Sequence, residues 1–343
     1  MPYKPSIAQW IERRTSNPCV VGSIPTGGTI CYTCKKKEFM NDKIFVMLPA
    51  YMDPDLGVTL TTMYENAENP ENLTIAVGMS YFSENEIPKY TDIPEHQIHK
   101  LFWHAKNRPG TMKVRNILNS FYTDEQYYLS VDSHMIFAER WDTTLKQELN
   151  DLASIVEKDK VILINHDRSS KFFVSESKIS PLFEIAGTGF KLVPEIENRF
   201  TRSDFLFAGL FFTYGNFAKD VGWIEDVNMI EEEPYMAFRS YVKGWDIYHN
   251  FISEQYAHNP KNYYNVVRNM KHIGWNKDPE RYRVEVLIAL IFNDYSHFAV
   301  KEASRTPAEW WNKIGLAEEY EKYKKLFVEY DVVNNIDSLA EKF

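Results

Sequence analysis

Residues 44–77 read IFVMLPAYMDPDLGVTLTTMYENAENPENLTIAV, and this stretch sets the fold class. The apolar run Ile44–Leu48 predicts a buried strand that ends at Pro49. Apolar residues then recur at helical spacing from Leu60 to Ala67, and Asn69-Pro70 predicts the end of that helix. Leu73–Val77 predicts a second strand. A strand, a helix and a strand within about 35 residues make a right-handed βαβ unit and therefore a parallel sheet.

The same alternation continues along the chain. Further strands are predicted near His99–Trp103, at Tyr127–Val131 and at Val161–Ile164, with helices at Met112–Phe121, Trp141–Val156 and Ile230–Val242. Residues 190–212 are rich in strand formers, and the chain beyond residue 260 is helical and strongly charged. We expect an α/β catalytic domain over residues 40–260, with a mainly parallel sheet flanked by helices, and a helical C-terminal annex over residues 261–343.

Residues 1–39 have a different character. They show no strand or helix periodicity, and they contain all three cysteines, Cys19, Cys31 and Cys34. Residues 7–26 resemble the conceptual translation of a transfer-RNA gene, so we expect a non-native or disordered extension with Met40 as the biological start. The remainder lacks cysteine, which fits a reducing cytoplasm.

Composition and missing motifs exclude several classes of protein. The chain has 39 Lys and Arg against 48 Asp and Glu, a net charge of -9, which argues against a protein that coats nucleic acid. No apolar run approaches the roughly 20 residues that cross a bilayer, so no membrane partner is expected. The phosphate-binding loop, the dinucleotide-binding glycine motif and the hydrolase Gly-x-Ser-x-Gly motif are all missing from the sequence.

Asp132-Ser133-His134 directly follows a predicted strand. In an extended chain Asp132 and His134 point the same way and Ser133 the opposite way, so a carboxylate and an imidazole can share one Mn²⁺ or Mg²⁺ with a diphosphate. The alternative is an aspartate that caps a turn while His134 packs locally. His258, beyond the predicted strand 245–248, is a candidate third ligand, and His249 competes with it.

Further candidates lie in a loop and at two helices. Glu232 and Glu233 precede an apolar helix, where they either cap the helix dipole or face the sugar or acceptor as catalytic carboxylates. Asp53, with Tyr51 in the same loop, is a candidate to bind the nucleobase or ribose, and Arg115 a candidate to neutralise a phosphate. The alternatives for Asp53 and Arg115 are a turn-forming aspartate and a solvent-facing helix charge.

Taken in order, these segments resemble the GlcNAc-transferase-like family that includes cytoplasmic enzymes glycosylating hydroxyproline on Skp1. The matching segments are 44–46, 50–54, 67–70, Gly110 with Arg115, 127–135, 207–209, Glu232-Glu233, 244–248, His258, 304–307 and 314–316. The resemblance covers about residues 43–316, and the strand followed by Asp-Ser-His is its most specific part.

The resemblance implies a GT-A-type, Rossmann-like glycosyltransferase with a nucleoside-diphosphate sugar donor and a hydroxyl acceptor on a protein. It implies a cation, Mn²⁺ or Mg²⁺, on Asp132, His134 and His258, and retention of anomeric configuration. We expect Glu232 or Glu233 to orient the acceptor or to stabilise positive charge at the anomeric carbon. Thr111-Met112-Lys113 departs from the family's Pro-Cys-Trp, and Met52 stands where Arg is common. Both changes affect donor-side loops, so the sugar stays open.

Two other functions remain open at this point. The first is a glycosyltransferase whose acceptor is a hydroxylated base in DNA. The N-terminal segment hints at a gene beside transfer-RNA genes, and a cationic cluster is available to contact phosphates. That cluster comprises Lys100, Lys106, Arg108, Lys113 and Arg115. The other is a sugar-nucleotide-binding scaffold without catalysis, against which the intact Asp132, His134, Glu232 and Glu233 argue.

Overall fold

The computed structural model describes residues 41–164, 200–203, 206–225, 232–250, 256–258, 279–293 and 299–329. All of them belong to the second of the two units into which contacts divide the chain, Met40–Phe343. The predicted extension, residues 1–39, lies outside the described residues. So do Ile230 and most of the strand-rich region predicted at residues 190–212.

The described strands form an eight-stranded sheet in the order β3-β2-β1-β4-β8-β6-β9-β7 and a separate two-stranded pair, β5 with β10. Their bounds are β1 Ile44–Tyr51, β2 Leu73–Tyr81, β3 Ile98–His104, β4 Tyr127–Val131, β5 Met135–Phe137, β6 Val161–Ile164, β7 Phe200–Ser203, β8 Leu210–Tyr214, β9 Asp246–Asn250 and β10 Tyr256–His258. Strands β3, β2, β1 and β4 are mutually parallel, and β6 and β9 run in the same direction. Only β7 and β8 among the described strands of the large sheet run the opposite way.

Helices flank this sheet. Their bounds are α1 Leu56–Glu65, α2 Thr111–Asn119, α3 Trp141–Val156, α4 Phe217–Asp220, α5 Glu232–Val242, α6 Pro279–Phe292, α7 Pro307–Lys313 and α8 Ala317–Glu329. Helix α2 packs on β1 and β2, and α3 on β6 and β8. The predicted mixed, mainly parallel sheet with flanking helices is therefore confirmed. Within the described residues, no helix is long and apolar enough to cross a membrane.

The C-terminal helices pack on the α/β part of the chain through large aromatic residues. Helices α6, α7 and α8 contact one another, and α6 and α7 contact α5. Trp310 packs against Phe238 of α5, and the Trp311 indole donates to the Leu290 carbonyl at 2.8 Å. Both tryptophans are buried in the same core as the sheet. The helical annex thus shares one hydrophobic core with the α/β part, and its boundary at residue 260 stays a prediction.

Strand β1 continues past Pro49, where the sequence predicts that it ends. The Met52 nitrogen donates to Ser80 of β2, so by alternation the Pro49 nitrogen faces the opposite side of β1. On that side the pairing with β4 has already ended at Met47. The missing N–H of proline therefore costs no ladder hydrogen bond, and the prediction of a strand end was wrong.

The parallel strands end together at one edge of the sheet. Every residue of β4 is buried, as expected for a central strand covered on both faces. Strands β1, β2, β3 and β4 point the same way, so their carboxyl ends and the polar residues that follow them meet at this edge. In parallel α/β sheets, ligands bind outside this edge.

Candidate active site

The turn that follows β4 carries Asp132, Ser133 and His134. The Asp132 nitrogen donates to the Gly209 carbonyl at 2.7 Å. The hydroxyl of Thr59, a buried residue of α1, lies 2.7 Å from the Ser133 carbonyl and accepts from the Met135 nitrogen at 2.8 Å. The chain therefore turns after Val131 and is not extended as the sequence analysis assumed. This contact with α1 joins residues more than 70 positions apart, which local alternation cannot anticipate.

Asp53 lies beneath this turn and is fully buried. One carboxylate oxygen accepts from the Asp55 nitrogen at 2.9 Å. The other accepts from the Ser133 hydroxyl at 2.5 Å and lies 2.9 Å from His134 Nδ1. Ser133 and His134 thus face the same carboxylate, and the expectation that Ser133 points away from its neighbours was wrong.

The protonation of this pair follows from its contacts. Burial raises the pKa of Asp53, but hydrogen bonds from His134 and Ser133 outweigh it and hold that pKa below the ordinary value. Burial lowers the pKa of His134, but the hydrogen bond with Asp53 and the charges of Asp132 and Asp53 outweigh it and raise that pKa. Both shifts fit a hydrogen bond in which Nδ1–H of His134 donates to the Asp53 carboxylate.

The donor set suits a divalent cation. His134 Nε2 lies 3.9 Å from Asp132 Oδ2, and a cation bonded to both at about 2.1 Å can span up to about 4.2 Å. The Asp132 side chain is 27% exposed, whereas that of Asp53 is 1% exposed, so a ligand reaches only the former. Among the described residues, no three Asp, Glu, His or Cys side chains group as a metal site.

The predicted third ligand enters from the two-stranded pair. Strand β10 places the backbone of His258 opposite Met135, the neighbour of His134. The His258 side chain lies outside the described residues. The backbone of His258 thus lies beside the turn that carries Asp132 and His134, and its role as a ligand stays a prediction. The competitor His249 pairs with Ile164 on β6, in the other part of the sheet.

Arg115 is buried beside these acids. Its Nη1 donates to the Ser130 hydroxyl at 2.7 Å, and its Nη2 lies 3.6 Å from Asp132 and 3.7 Å from Glu232. The guanidinium also lies over the Trp223 ring, 5.0 Å from the centroid. This residue of α2 thus holds two carboxylates of the site and is not a solvent-facing helix charge.

Glu232 and Glu233 open α5 at the same place. Glu232 is buried and Glu233 is partly buried. Burial raises the pKa of Glu233 to about 8, with further contributions from the charges of Glu232 and Asp132. At neutral pH Glu233 is therefore mostly protonated, while Glu232 faces the Arg115 cation. A carboxyl group with a strongly raised pKa is a common feature of active sites.

Arg108, which is half-buried, and Tyr51, which is buried, form a second cationic part of the site. The Arg108 guanidinium lies 4.5 Å from the centroid of the Tyr51 ring, and Nη2 donates to the Thr111 hydroxyl at 2.7 Å. Nη1 is buried and has no hydrogen-bond partner among the described residues. Burial lowers the pKa of Arg108 to about 10, so the residue stays charged at neutral pH. A buried cationic donor of this kind is suited to an anionic ligand.

Two features of the site were missed from sequence. Arg108 appeared only as one member of a cationic cluster, although its place in the loop after β3 is a usable signal. Gly209 was noted only for the resemblance, yet a Cβ there would lie 2.2 Å from Asp132 Oδ2. Two other members of the cationic cluster that includes Arg108 have acidic partners. Lys100 pairs with Glu95 at 2.7 Å, and Lys113 pairs with Glu225 at 3.0 Å.

Comparison with protein families identifies the chain. The model of the family Glycosyltransferase (GlcNAc) matches residues 91–326, more than half of the chain. The protein belongs to this glycosyltransferase family. A search of curated proteins finds no match.

Some solved structures are similar to the chain at a low level. GalNAc-T7 with UDP, GalNAc and Mn²⁺ is 12% identical with a TM-score of 0.48, covering 85% of this chain and 57% of its own. TarS 1-349 of S. aureus with UDP is 14% identical with a TM-score of 0.41, covering 80% and 70%. TarS with UDP-GlcNAc gives 13%, 0.41, 80% and 71%. The chain thus spans just over half of the GalNAc-T7 structure, and the proposals below rest on the family and on the site itself.

Proposed function

We propose that this chain is a metal-dependent GT-A-type glycosyltransferase, which moves a sugar from a nucleoside diphosphate to a hydroxyl acceptor. The observation that carries the proposal is the Asp132–His134 pair at the carboxyl end of β4, with 3.9 Å between Oδ2 and Nε2. The chain's membership of a glycosyltransferase family supports the reaction class. A nucleotide-sugar donor binds at this edge of the sheet, where parallel α/β folds hold their ligands.

The metal ligands of the proposal are Asp132, His134 and His258. A bound Mn²⁺ or Mg²⁺ supplies Lewis-acid stabilisation of the charge on the departing diphosphate. Carboxylate and imidazole donors suit such ions together with phosphate oxygens. Gly209 leaves the room that the Asp132 carboxylate occupies.

The nucleotide-sugar donor binds mainly to Arg108, with Tyr51 in support. The buried Nη1 of Arg108 offers a charged donor to the diphosphate, and the Tyr51 ring holds the guanidinium in place. Asp53 and Arg115, which the sequence also assigned to the donor, have other contacts. Asp53 binds Ser133 and His134, and Arg115 binds Ser130 and two carboxylates.

Catalysis falls to the two glutamates of α5, in different states. Glu232, paired with Arg115, keeps a negative charge that stabilises positive charge on the anomeric carbon. Glu233 is mostly neutral at pH 7 and donates a hydrogen bond to the acceptor or to a sugar hydroxyl. The acceptor oxygen bonds to the anomeric carbon as the bond to the diphosphate breaks, the bonding electron pair leaves with the diphosphate, and the acceptor proton passes to the departing diphosphate oxygen. Retention of configuration follows from the family resemblance.

The acceptor in this proposal is a hydroxyl on a cytoplasmic protein, as in the Skp1-modifying relatives that the sequence resembles. Acceptance of DNA has less support, because Lys100 and Lys113 pair with glutamates and Arg115 is buried. A surface that binds phosphates needs cations that are available to them. The sugar and the nucleotide base are left to experiment.

The test is hydrolysis of a panel of nucleotide sugars by the full chain, with and without Mn²⁺. We expect one donor to be cleaved only with Mn²⁺, and Asp132→Ala to lose that cleavage. Asp142→Asn is the matched control, because Asp142 is a buried carboxylate that accepts from the Glu68 and Asn69 nitrogens away from the site. If no donor is cleaved and UDP binding does not depend on Mn²⁺, the proposal falls and a binding scaffold replaces it.

A further inference from the structure

We propose that Asp53 is a positioning residue, which holds the His134 ring so that Nε2 faces Asp132 and the metal. The inference rests on the proposed function, because it assigns Asp53 a part in that metal site. It differs from the sequence-based assignment of Asp53 to the nucleotide. The distinction is between a carboxylate that touches the donor and one that acts only through His134.

The contacts of Asp53 carry this inference. Its two oxygens accept hydrogen bonds from the Asp55 nitrogen and the Ser133 hydroxyl and contact His134 Nδ1, all within 2.9 Å. The side chain is 1% exposed. A nucleotide ribose therefore cannot reach it without displacing one of these contacts.

The surroundings fix both members of the pair. The Tyr81 hydroxyl donates to the Asp53 carbonyl at 2.7 Å, which holds the backbone of the loop after β1. Thr59 holds the turn on the other side through Ser133 and Met135. The ring of His134 thus lies between a fixed carboxylate at Nδ1 and Asp132 near Nε2. A histidine that binds metal through one nitrogen commonly donates the other N–H to a carboxylate in this way.

An asparagine at position 53 distinguishes a carboxylate that binds the nucleotide from one that orients His134. The Asp55 N–H retains the side-chain oxygen, so the amide NH₂ of the variant faces His134 Nδ1. An NH₂ group can only donate there, so Nδ1 must accept, and the proton moves to Nε2. Nε2 binds a metal only after this proton has left it, which weakens metal binding. Asp53→Asn therefore changes the tautomer of His134 with almost no change in volume.

The experiment compares the full-length wild type, Asp53→Asn and Asp142→Asn. NMR of histidine labelled with ¹⁵N reports the tautomer, with His134→Asn used to assign the signal. Paramagnetic resonance measures Mn²⁺ affinity, and calorimetry measures UDP affinity in EDTA. We expect Asp53→Asn to change the His134 tautomer from Nδ1–H to Nε2–H and to weaken Mn²⁺ binding about 10- to 100-fold. We expect its metal-free UDP affinity, and both properties of Asp142→Asn, to match the wild type.

Two results overturn the inference. One is an unchanged His134 tautomer with unchanged Mn²⁺ affinity, which shows that Asp53 does not position the ring. The other is weakened metal-free UDP binding with unchanged Mn²⁺ affinity, which shows a direct nucleotide contact. If the wild type binds no Mn²⁺ with or without UDP, the proposed metal dependence fails. The tautomer measurement still decides in that case whether Asp53 holds the ring.

Discussion

Two buried charge clusters lie at opposite ends of the sheet and are balanced in opposite ways. Asp246, at the amino end of β9, is fully buried and pairs with Lys158 at 2.5 Å, Arg202 at 2.8 Å and Arg305 at 2.9 Å. Arg305 also donates to the Gly244 carbonyl, which ties the segment before α7 to the sheet. One carboxylate here has three cations, all in short contact.

The second cluster lies beyond the carboxyl end of β4, and Arg115 is the one Arg or Lys among the described residues that lies within ion-pair distance of its acids. Arg115 lies 3.6 Å from Asp132 and 3.7 Å from Glu232, and Glu233 avoids a further negative charge by keeping its proton. These contacts are longer than those of Asp246. A cluster with cations in short contact stabilises the fold, whereas a cluster with excess carboxylate can gain a further cation. We attribute structure to the first and metal binding to the second.

Removal of the Arg115 guanidinium has the largest expected effect. Arg115→Met leaves Asp132 and Glu232 without it, so we expect a loss of about 3 to 5 kcal/mol in the free energy of unfolding. Because Asp132 also loses its orientation, we expect a fall of about 100-fold in donor cleavage. Urea unfolding and initial rates measure the two losses. Stability equal to that of the wild type would show that the acids do not depend on Arg115.

The corresponding change in the structural cluster gives a different result. We expect Asp246→Asn to cost about 2 kcal/mol, less than for a fully buried pair, because Lys158 and Arg202 remain partly exposed. Activity per folded molecule should not change.

The pH dependence of that loss follows from the pKa. Burial raises the pKa of Asp246, but hydrogen bonds from Lys158 and Arg305 outweigh it and lower the pKa. The advantage of the wild type over Asp246→Asn is therefore present above about pH 4 and lost on further acidification. Urea unfolding of both proteins at several pH values checks this. A loss of activity per folded molecule would break the contrast between the clusters.

A substitution at Gly209 tests the metal-binding role of the Asp132 cluster by steric displacement. Gly209→Ala places a Cβ 2.2 Å from Asp132 Oδ2 and must displace that carboxylate, so we expect Mn²⁺ affinity to fall about tenfold. Gly215→Ala is the control, because its Cβ meets the Glu125 carbonyl oxygen and not the turn of Asp132, Ser133 and His134. The control should lose stability and keep Mn²⁺ affinity, as measured by paramagnetic resonance. Equal affinity losses in both would point to general unfolding.

A further prediction, which depends on pH, concerns the proton on Glu233. A carboxyl group whose pKa is raised to about 8 stabilises the fold below its ordinary pKa near 4.5, and this contribution is lost as the pH rises through 8. We therefore expect the metal-free wild type to lose melting temperature relative to Glu233→Gln between pH 5 and pH 9. Parallel melting curves for the two proteins would refute this expectation.

Local pattern was sufficient for most of the sheet and its helices. Tyr127–Val131 and Trp141–Val156 have the predicted bounds, because apolar periodicity there is long and clearly flanked. Strands β5 and β10 could not be predicted, since each has three residues and they pair across a long separation. The same limit applies to Pro49, whose tolerance depends on where a neighbouring strand ends.

The sequence indicated candidate residues for the site, but it did not indicate their contacts with one another. Asp132 and His134 stood out because polar residues follow an apolar strand, and the structure brings them together. The contact of Asp53 with His134 joins residues 81 positions apart, so no local pattern contains it. The contacts of Arg115 with Asp132 and Glu232 also join residues far apart in the chain, so the sequence, which suggested a phosphate ligand, did not indicate them.

The contrast between the two clusters is tested most directly by the thermal response to Mn²⁺ with UDP. The melting temperature is measured for the wild type, Asp132→Asn and Asp246→Asn, with and without these ligands. A ligand that binds only the folded state raises the melting temperature. Our account predicts a rise for the wild type and for the less stable Asp246→Asn, and none for Asp132→Asn. An equal rise in Asp132→Asn would contradict it, because the metal would then bind elsewhere.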